Sequence, residues 1–335
     1  MSGRGNYRQD SNGFCTHVGR ALRAGRGDGL TTRLLRRHSA EAMVSAPTLP
    51  SPFTIVPRQP QTAADVGGHY DELDAIYREI WGEHVHHGFW QTGRETDREA
   101  TEALVAYVAE RLDLNAGQSV CDIGCGYGAS AEYLAQRHAI LVTGLTLSAA
   151  QARIGQARTP TAGAIAILQR DWLDNGLGDA AFDRAYAIES SEHMVDKTGF
   201  FTEAMRVLRP GGRLVVCAWL ARTDPSAFEV RHLLEPICRE GRLPSMGSRE
   251  DYEGLAQAAG FAALGYADIG REVRRTWAIV GRRVARRLLT DRDFRRFALS
   301  PSTRNRSFLL SLPRLRIALR TGAMRYGVFV WKKPA

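Results

Sequence analysis

Residues 120–128 read VCDIGCGYG, and they hold the strongest indication of chemistry in this chain. Asp122 lies near the end of an apolar run typical of a buried strand, and Gly124, Gly126 and Gly128 follow at alternate positions. Glycine suits backbone that turns through positive φ or lies against a ligand, and open α/β sheets bind ligands at the carboxyl ends of their strands. The spacing differs from the dinucleotide fingerprint G-x-G-x-x-G, whose acid follows about 20 residues later. The segment predicts a ligand-binding turn, and a tight turn without a ligand is the alternative.

Polar side chains also follow the second and third predicted strands. Thr146, Ser148 and Gln151 follow the second strand, and their hydroxyl and amide groups can pair with hydroxyls of a ligand. Ser148 equally suits the N-cap of the next helix, so both interpretations stay open. Asp171 and Trp172 follow the third strand, where an acid can accept from a ligand amine and an aromatic ring can stack. The alternative is an N-cap aspartate followed by a core tryptophan.

The fourth predicted strand ends in the run AIESSEHM, which is dense in ionisable groups. We expect His193 and Glu192 to be catalytic, with His193 taking a proton from a hydroxyl or amine nucleophile. Packing or helix entry is the alternative for His193, and an exposed acid at a helix start is the alternative for Glu192.

A segment rich in histidine and aromatic residues, IWGEHVHHGFW, occupies residues 80–90. Three histidines suggest a metal at first, but no nearby cysteine and no H-E-x-x-H helix supports zinc, so we expect no metal. The segment instead predicts a lid. With one tryptophan of a later helix it is expected to line a substrate pocket through Trp81, His84, His87, Phe89, Trp90 and Trp277.

The elements that position these residues follow from hydrophobic periodicity. Tyr70, Leu73, Tyr77 and Trp81 recur at helical spacing, and beyond them short apolar runs alternate with amphipathic helices. This alternation is typical of an α/β fold with a doubly wound, Rossmann-like sheet. We therefore predict a disordered extension over 1–62 and one domain over 63–335, which comprises a helical lid at 65–93, a core at 95–220 and C-terminal cap helices at 226–259 and 271–322.

Composition narrows the function. The 335 residues are 44% hydrophobic and contain no run of 18 apolar residues, which excludes a conventional membrane span. Five cysteines without a CxxC pair are typical of reduced thiols, so we expect a cytoplasmic protein. The net charge is +6 over 1–60, −12 over 61–270 and +15 over 271–335. The basic C-terminal region could attract an anionic membrane, nucleic acid or an acidic substrate, or form a solvated face.

Together these motifs resemble the tocopherol methyltransferase-like group of class I S-adenosylmethionine-dependent methyltransferases. The resemblance runs over about residues 66–334 and rests on IWGEHVHHGFW, VCDIGCGYG, GLTLSAAQA, AIESSEHM, RVLRPGG and the final GAMRYGVFVWKKP. It implies methyl transfer from S-adenosylmethionine to a lipophilic or aromatic small molecule. Sterol- or fatty-acyl-type C-methylation is the alternative, because relatives of the group carry out that reaction.

The resemblance also implies roles for individual residues. His193 matches a position that lies near the transferred methyl group in related enzymes. Ala218 and Trp219 stand where some sugar-methylating relatives have a carboxylate, so a histidine–carboxylate pair from the fifth strand is absent. The cofactor-binding residues implied or expected are Asp122, Gly124, Gly126, Gly128, Thr146, Gln151, Asp171, Trp172 and Glu189.

Two other enzyme classes are disfavoured. A nicotinamide oxidoreductase would show G-x-G-x-x-G and an acid after the second strand, and both are missing. Amino-methylating nucleic-acid enzymes often carry a D/N-P-P-Y/F run where this chain has ESSEH, so no nucleic-acid partner is expected. Arginines interleaved with leucines beyond residue 271 predict peripheral membrane contact. The acceptor, the methylated atom and the oligomeric state are open.

Overall fold

The computed structural model describes residues 55–300, 303 and 307–335. Helices and strands alternate through the core of the chain, and helices dominate both ends. In chain order the elements are α1 (Ala63–Ile80), α2 (Asp97–Leu112), β1 (Ser119–Ile123), α3 (Ala129–His138), β2 (Leu141–Thr146), α4 (Ala149–Gln156), β3 (Ala164–Gln169), β4 (Phe182–Ile188), α5 (Lys197–Val207), β5 (Leu208–Ala221), α6 (Ala227–Glu229), α7 (Glu235–Glu240), α8 (Arg249–Ala258), β6 (Ala262–Asp268), α9 (Gly270–Val273), α10 (Arg275–Thr290), α11 (Arg292–Leu299), α12 (Phe308–Thr321) and β7 (Met324–Lys332).

The strands of the described residues form one sheet in the order β3-β2-β1-β4-β5-β7-β6. Strands β1 to β5 are parallel, while β7 runs antiparallel to both of its neighbours. Strands β1 to β3 extend the sheet in one direction, and β4 then returns to pair with the other side of β1. The strand order therefore reverses between the neighbouring strands β1 and β4, and a crevice opens at their carboxyl ends. The predicted doubly wound sheet is confirmed.

Helices cover both faces of the sheet. On one face, Leu104 and Val108 of α2 and Leu134 of α3 pack against buried residues of β1 and β2. On the other face, Phe200 and Phe201 of α5 pack with α8 and with the opposite side chains of the same strands. Because both faces are covered, the parallel strands are almost continuously apolar.

The predicted lid and cap pack together into one apolar cluster. Leu73, Tyr77 and Ile80 of α1 contact the cluster that also contains Trp277 of α10 and Leu315 of α12. Helix α1 begins at a capping box in which the side chains of Thr62 and Asp65 accept from each other's backbone N–H groups. The lid is therefore joined to the C-terminal helices as well as to the sheet.

Three boundaries differ from the sequence expectation. Residues 1–54 lie outside the described part, but Ile55 is buried and forms a β-bridge with Met246, so the expected extension reaches too far at 62. The apolar run at 213–219 predicts the fifth strand, but β5 already begins at Leu208, because Leu208 pairs with Phe182 before a register shift. The helix expected from 226 contains a π-helical turn over Val230–Leu234. No described helix is long and apolar enough to cross a bilayer.

Candidate active site

The glycine-rich turn after β1 has the backbone that its sequence predicts. Gly124, Gly126 and Gly128 all have positive φ, at +80°, +52° and +72°. A Cβ on Gly124 would stand 2.3 Å from the Cβ of Ser190, so only glycine fits there. Ser190 also donates a hydrogen bond from Oγ to the carbonyl of Ile123, which ties the turn after β4 to the turn after β1.

A cavity of about 350 Å³ opens beside this turn. Asp122 lies in its wall, and its Oδ2 accepts a 2.7 Å hydrogen bond from the hydroxyl of Tyr186. Burial raises the pKa of the Asp122 carboxyl to about 7 in spite of that hydrogen bond. A Cβ on Gly126 would meet only Gln151 Nε2, at 4.0 Å, so the missing side chain leaves space in front of the turn.

Two lid histidines face this cavity. His84 Nδ1 and His86 Nε2 each lie 3.3 Å from Oγ of Ser130, at the start of α3. Burial, followed by the neighbouring His86, lowers the pKa of His84 to about 3. His84 was expected in the substrate pocket. The structure places it at the glycine turn instead, because the lid crosses the first turn of α3 before it reaches the far side of the cleft.

The residues after β2 satisfy one another. Thr146 donates from Oγ1 to Gln151 Oε1 over 2.7 Å, and both residues are buried. Ser148 accepts from the backbone N–H of Gln151 as the N-cap of α4, and it donates to Asp71 over 2.5 Å. Ser148 therefore caps the helix. The Gln151 Nε2 group has no partner among the described residues.

The Asp171–Trp172 pair matches its structural alternative. The Asp171 side chain accepts from the backbone N–H of Leu173, as an N-cap does. Trp172 is 2% exposed, packs against Phe200 and donates from Nε1 to the Phe200 carbonyl. Helix α5 covers the Trp172 ring, which favours the core alternative over stacking on a ligand.

A second cleft, of about 490 Å³, lies on the other side of Val85, which lines both cavities. Three of the expected pocket residues, Trp81, His87 and Trp277, line it. Its other walls include Tyr77, Glu189, Glu192, His193, Trp219 and Leu243. We call this the acceptor cleft. It combines aromatic rings with a group of ionisable side chains.

Two of the expected pocket residues lie elsewhere. The Phe89 ring packs 4.8 Å from that of Tyr107 on α2, inside the core. Trp90 donates from Nε1 to Thr276 Oγ1 over 3.0 Å and faces a neighbouring cavity between the lid and α10. Neither Phe89 nor Trp90 lines the acceptor cleft, so their expected place in a substrate pocket stays a prediction.

Glu189 is a point where three segments meet. It has a φ of +53° and accepts from four donors. These are the backbone N–H of His87 at 2.7 Å, His87 Nδ1 at 2.8 Å, Trp219 Nε1 at 3.0 Å and the Tyr326 hydroxyl at 2.8 Å. The carboxylate lines the acceptor cleft rather than the cavity at the glycine turn. Its expected role in cofactor binding stays a prediction, although the protein's own donors contact both of its oxygens.

Glu192 and His193 lie on the short helical turn Ser191–His193 after β4. Glu192 Oε1 accepts from the backbone N–H of Trp219 over 2.7 Å, and burial raises the pKa of its carboxyl to about 7. His193 Nε2 lies 3.1 Å from the Tyr70 hydroxyl and Nδ1 lies 3.3 Å from the Arg242 carbonyl. Burial lowers the pKa of His193 to about 4.

Sequence reasoning missed three residues of this site. Lys197 is buried and donates hydrogen bonds from Nζ to the carbonyls of Glu192 and Met194, which stabilises the helical turn after β4. Trp219 and Tyr326 hold Glu189. Because β7 is antiparallel, its first residues lie at the same edge of the sheet as the carboxyl ends of β1 and β4. A tyrosine near the start of this last strand, Tyr326, was the sequence feature that could have indicated a site residue.

Among the described residues no group of three or more His, Cys, Asp or Glu side chains has the arrangement of a metal site. The site is instead two adjoining cavities at the topological switch point. One is built around a glycine turn and a buried acid, and the other around aromatic rings and ionisable groups.

Comparisons with known proteins agree with this geometry. The family model described as mycolic acid cyclopropane synthetase matches residues 58–286. An O-methyltransferase of Aspergillus sclerotiorum is 36% identical over 221 residues, covering 64% of this chain and 81% of its own. The chloroplastic tocopherol O-methyltransferase of Arabidopsis thaliana is 30% identical over 286 residues, which cover 79% of this chain and 80% of the relative.

A solved structure shows the same fold. A mycolic acid cyclopropane synthase complexed with S-adenosylhomocysteine superposes with a TM-score of 0.71 at 21% identity, over 82% of this chain and 99% of the other. The fold and the glycine turn define a class I S-adenosylmethionine-dependent methyltransferase. Within that class, this chain belongs to the mycolic acid cyclopropane synthetase family.

Proposed function

We propose that this enzyme methylates a hydroxyl group of a lipophilic or aromatic small molecule. The observation that carries the proposal is the acceptor cleft, whose aromatic walls enclose the hydrogen-bonded pair of His87 and Glu189. This cleft adjoins the cavity at the glycine turn, with which it shares Val85. Several relatives bear the name O-methyltransferase, which supports the same chemistry. The test is label transfer from S-adenosylmethionine to a panel of phenols and alcohols, with the methyl ether identified by mass spectrometry.

The residues around the glycine turn fit S-adenosylmethionine. The buried Asp122 carboxylate suits its ammonium group, and the backbone N–H groups at the start of α3 suit its carboxylate. The Nε2 group of Gln151 suits a ribose hydroxyl, because Thr146 already occupies Oε1. When bound, the cofactor supplies an electrophilic methyl group on a sulfonium.

The chain's own contribution is to orient the acceptor and exclude water. Trp81, Trp219 and Trp277 line the cleft, and the rings of Trp219 and Trp277 each contact the edge or face of His87. Flat apolar walls fix the plane of an aromatic acceptor, and fixing the line of attack supplies much of the rate of a displacement reaction. His87 and Glu192 are buried in the cleft wall and Glu189 and His193 are half-buried, which limits access of bulk water to the nucleophile.

A further cavity, of about 320 Å³ and lined by apolar side chains, supports a lipophilic acceptor. It shares Tyr77 and Trp81 with the acceptor cleft and is otherwise lined by aliphatic and phenylalanine side chains of α1, α10, α11 and α12. A polar ring in the acceptor cleft could therefore carry an apolar substituent that extends toward these helices.

We further propose that the enzyme is cytoplasmic and contacts membranes through the basic helices α10 to α12. Arg282 and Arg286 are exposed, lie one helical turn apart and form no ion pair with a described residue. Leu289 and Leu310 are 80% and 60% exposed. Exposed leucines beside unpaired arginines favour an anionic bilayer surface, where lipophilic acceptors accumulate.

C-methylation of a sterol- or fatty-acyl-type acceptor is the second candidate, and the family match favours it. The same labelling experiment separates the two reactions. An ether is cleaved by boron tribromide with loss of the label, whereas a new carbon–carbon bond retains it.

A further inference from the structure

The side chain of His87 has one ring nitrogen that no protein group uses. Nδ1 is 2.8 Å from Glu189 Oε2, whereas Nε2 is buried and has no hydrogen-bond partner among the described residues. The ring is 2% exposed and lines the acceptor cleft. His193 differs in this respect, because Tyr70 and Arg242 occupy both of its nitrogens.

The charge of Glu189 fixes the tautomer of the His87 ring. Burial alone would raise the pKa of the Glu189 carboxyl, but the facing His87 ring and backbone N–H outweigh it and lower that pKa to about 2. An ionised carboxylate only accepts hydrogen bonds, so Nδ1 carries the hydrogen. In the neutral ring Nε2 therefore holds a lone pair that no described group uses, on a side chain that lines the acceptor cleft.

We propose that His87 is the general base of the reaction and that Glu189 orients it. The inference rests on the proposed methylation of a hydroxyl acceptor. Nε2 takes the proton of the acceptor O–H as that bond breaks and a new N–H bond forms. The oxygen keeps the electron pair and uses it toward the methyl carbon, and the sulfonium leaves as a thioether. The imidazolium, paired with the Glu189 carboxylate, releases its proton to water after the product departs.

The other donors to Glu189 hold this pair in place. Trp219 of β5 and Tyr326 of β7 each donate to one carboxylate oxygen, so the carboxylate cannot rotate away from His87. The ionisable groups that face the pair are His86 on the lid, Glu192 and His193 on the turn after β4, and Tyr326 on the sheet. Burial holds His86 and His193 neutral at physiological pH, which leaves Glu189 as the ionised partner of His87.

The test compares two phenols of different acidity, 4-nitrophenol and 4-methoxyphenol, as acceptors. For His87→Gln we expect kcat to fall about 100-fold or more with 4-methoxyphenol and much less with the already ionised 4-nitrophenol. S-Adenosylhomocysteine binding by calorimetry should stay unchanged. His232→Gln, an exposed histidine, is the matched control and should leave both rates unchanged.

Equal losses with both phenols would show that His87 only supports the lid and would overturn the proposal. If kcat fell more with 4-methoxyphenol than with 4-nitrophenol in His193→Gln, but not in His87→Gln, the general base would be His193. A second readout needs no acceptor: long-range ¹H–¹⁵N spectra of the full-length protein should show His87 protonated at Nδ1 and bare at Nε2. A proton on Nε2 would refute the proposal. If the wild-type enzyme methylated no phenol at all, the proposed function would be contradicted, and the spectrum would then decide the role of His87.

Discussion

Tyr70 of α1 and His193 of the turn after β4 are 123 residues apart in sequence, and a 3.1 Å hydrogen bond joins the Tyr70 hydroxyl to His193 Nε2. Because Nδ1 lies against the Arg242 carbonyl, it is the protonated nitrogen, and Nε2 accepts from the tyrosine. The rings also meet edge to face at 5.7 Å. His193 therefore fastens the lid helix to the sheet edge.

Replacing Tyr70 by phenylalanine should reduce stability. Tyr70→Phe leaves Nε2 of the half-buried His193 without its protein partner, which costs about 1 kcal/mol. Urea denaturation at pH 7.5 measures this as a lower midpoint at an unchanged m-value. Tyr133→Phe, whose hydroxyl contacts the exposed Arg137 on α3, is the control and should change stability by less than about 0.5 kcal/mol. Similar losses in both variants would show that the Tyr70–His193 contact adds no stability.

Filling the space in front of the glycine turn should block the cofactor. Gly126→Ala places a methyl group into open space beside Gln151, so we expect S-adenosylhomocysteine binding, measured by calorimetry, to weaken at least about tenfold.

Gly117→Ala is the control for backbone strain. Gly117 has a φ of +79° and nothing within 4 Å of its missing Cβ, so both variants carry a similar left-handed cost of about 1–2 kcal/mol. Equal affinity for S-adenosylhomocysteine in the two variants would contradict a cofactor site at this turn.

The buried Glu192 carboxyl should make stability depend on pH. Burial raises its pKa from 4.5 to about 7, so the folded protein binds more protons than the unfolded chain between these values. The contribution of Glu192 is fully present below pH 4.5 and is lost as pH rises through 7. Glu192→Gln removes that loss, because the amide does not titrate.

Urea denaturation at pH 5 and pH 8 should therefore show the variant gaining stability relative to the wild type at the higher pH. The change follows about 1.4 kcal/mol per unit of pKa shift, and only its direction is decisive. Glu110→Gln, at a carboxylate that is 77% exposed, is the control. A stability difference between Glu192→Gln and the wild type that is the same at both pH values would refute ionisation of Glu192 in this range.

Membrane contact should depend on the exposed face of α10. The double variant Arg282→Glu with Arg286→Glu should weaken sedimentation with phosphatidylglycerol vesicles by about tenfold or more, since each basic residue near such a surface contributes about 1 kcal/mol. Arg231→Glu, exposed on the π-helical turn, is the control. Equal binding to neutral phosphatidylcholine vesicles, or a salt-sensitive shift of an RNA probe, would argue against an anionic lipid surface.

The sheet and the glycine turn could be predicted because each depends on local sequence. Apolar runs separated by helices define the strands, and the alternate spacing of Gly124, Gly126 and Gly128 marks a turn in which all three have positive φ. The family-level expectation of S-adenosylmethionine followed from the same motifs. The turn after β1 keeps the geometry that its motif predicts, whereas Trp172 after β3 and Glu189 after β4 contact other parts of the protein.

Side-chain direction in irregular segments could not be predicted. Phe89 and His87 lie two residues apart in the lid, yet one packs on α2 and the other lines the acceptor cleft. Trp172 is turned into the core by α5, which follows later in the chain. The pairing of His87 with Glu189 spans 102 residues, and no local pattern encodes such a contact.

The most direct test of the proposed hydroxyl methylation is transfer of a labelled methyl group from S-adenosylmethionine by the wild-type enzyme, with phenols of increasing apolar chain length as acceptors. We expect a labelled methyl ether and an equal amount of S-adenosylhomocysteine, with a rate that rises as the apolar chain of the phenol fills the cavity beside Tyr77 and Trp81. Cofactor binding without label on any hydroxyl acceptor would contradict it.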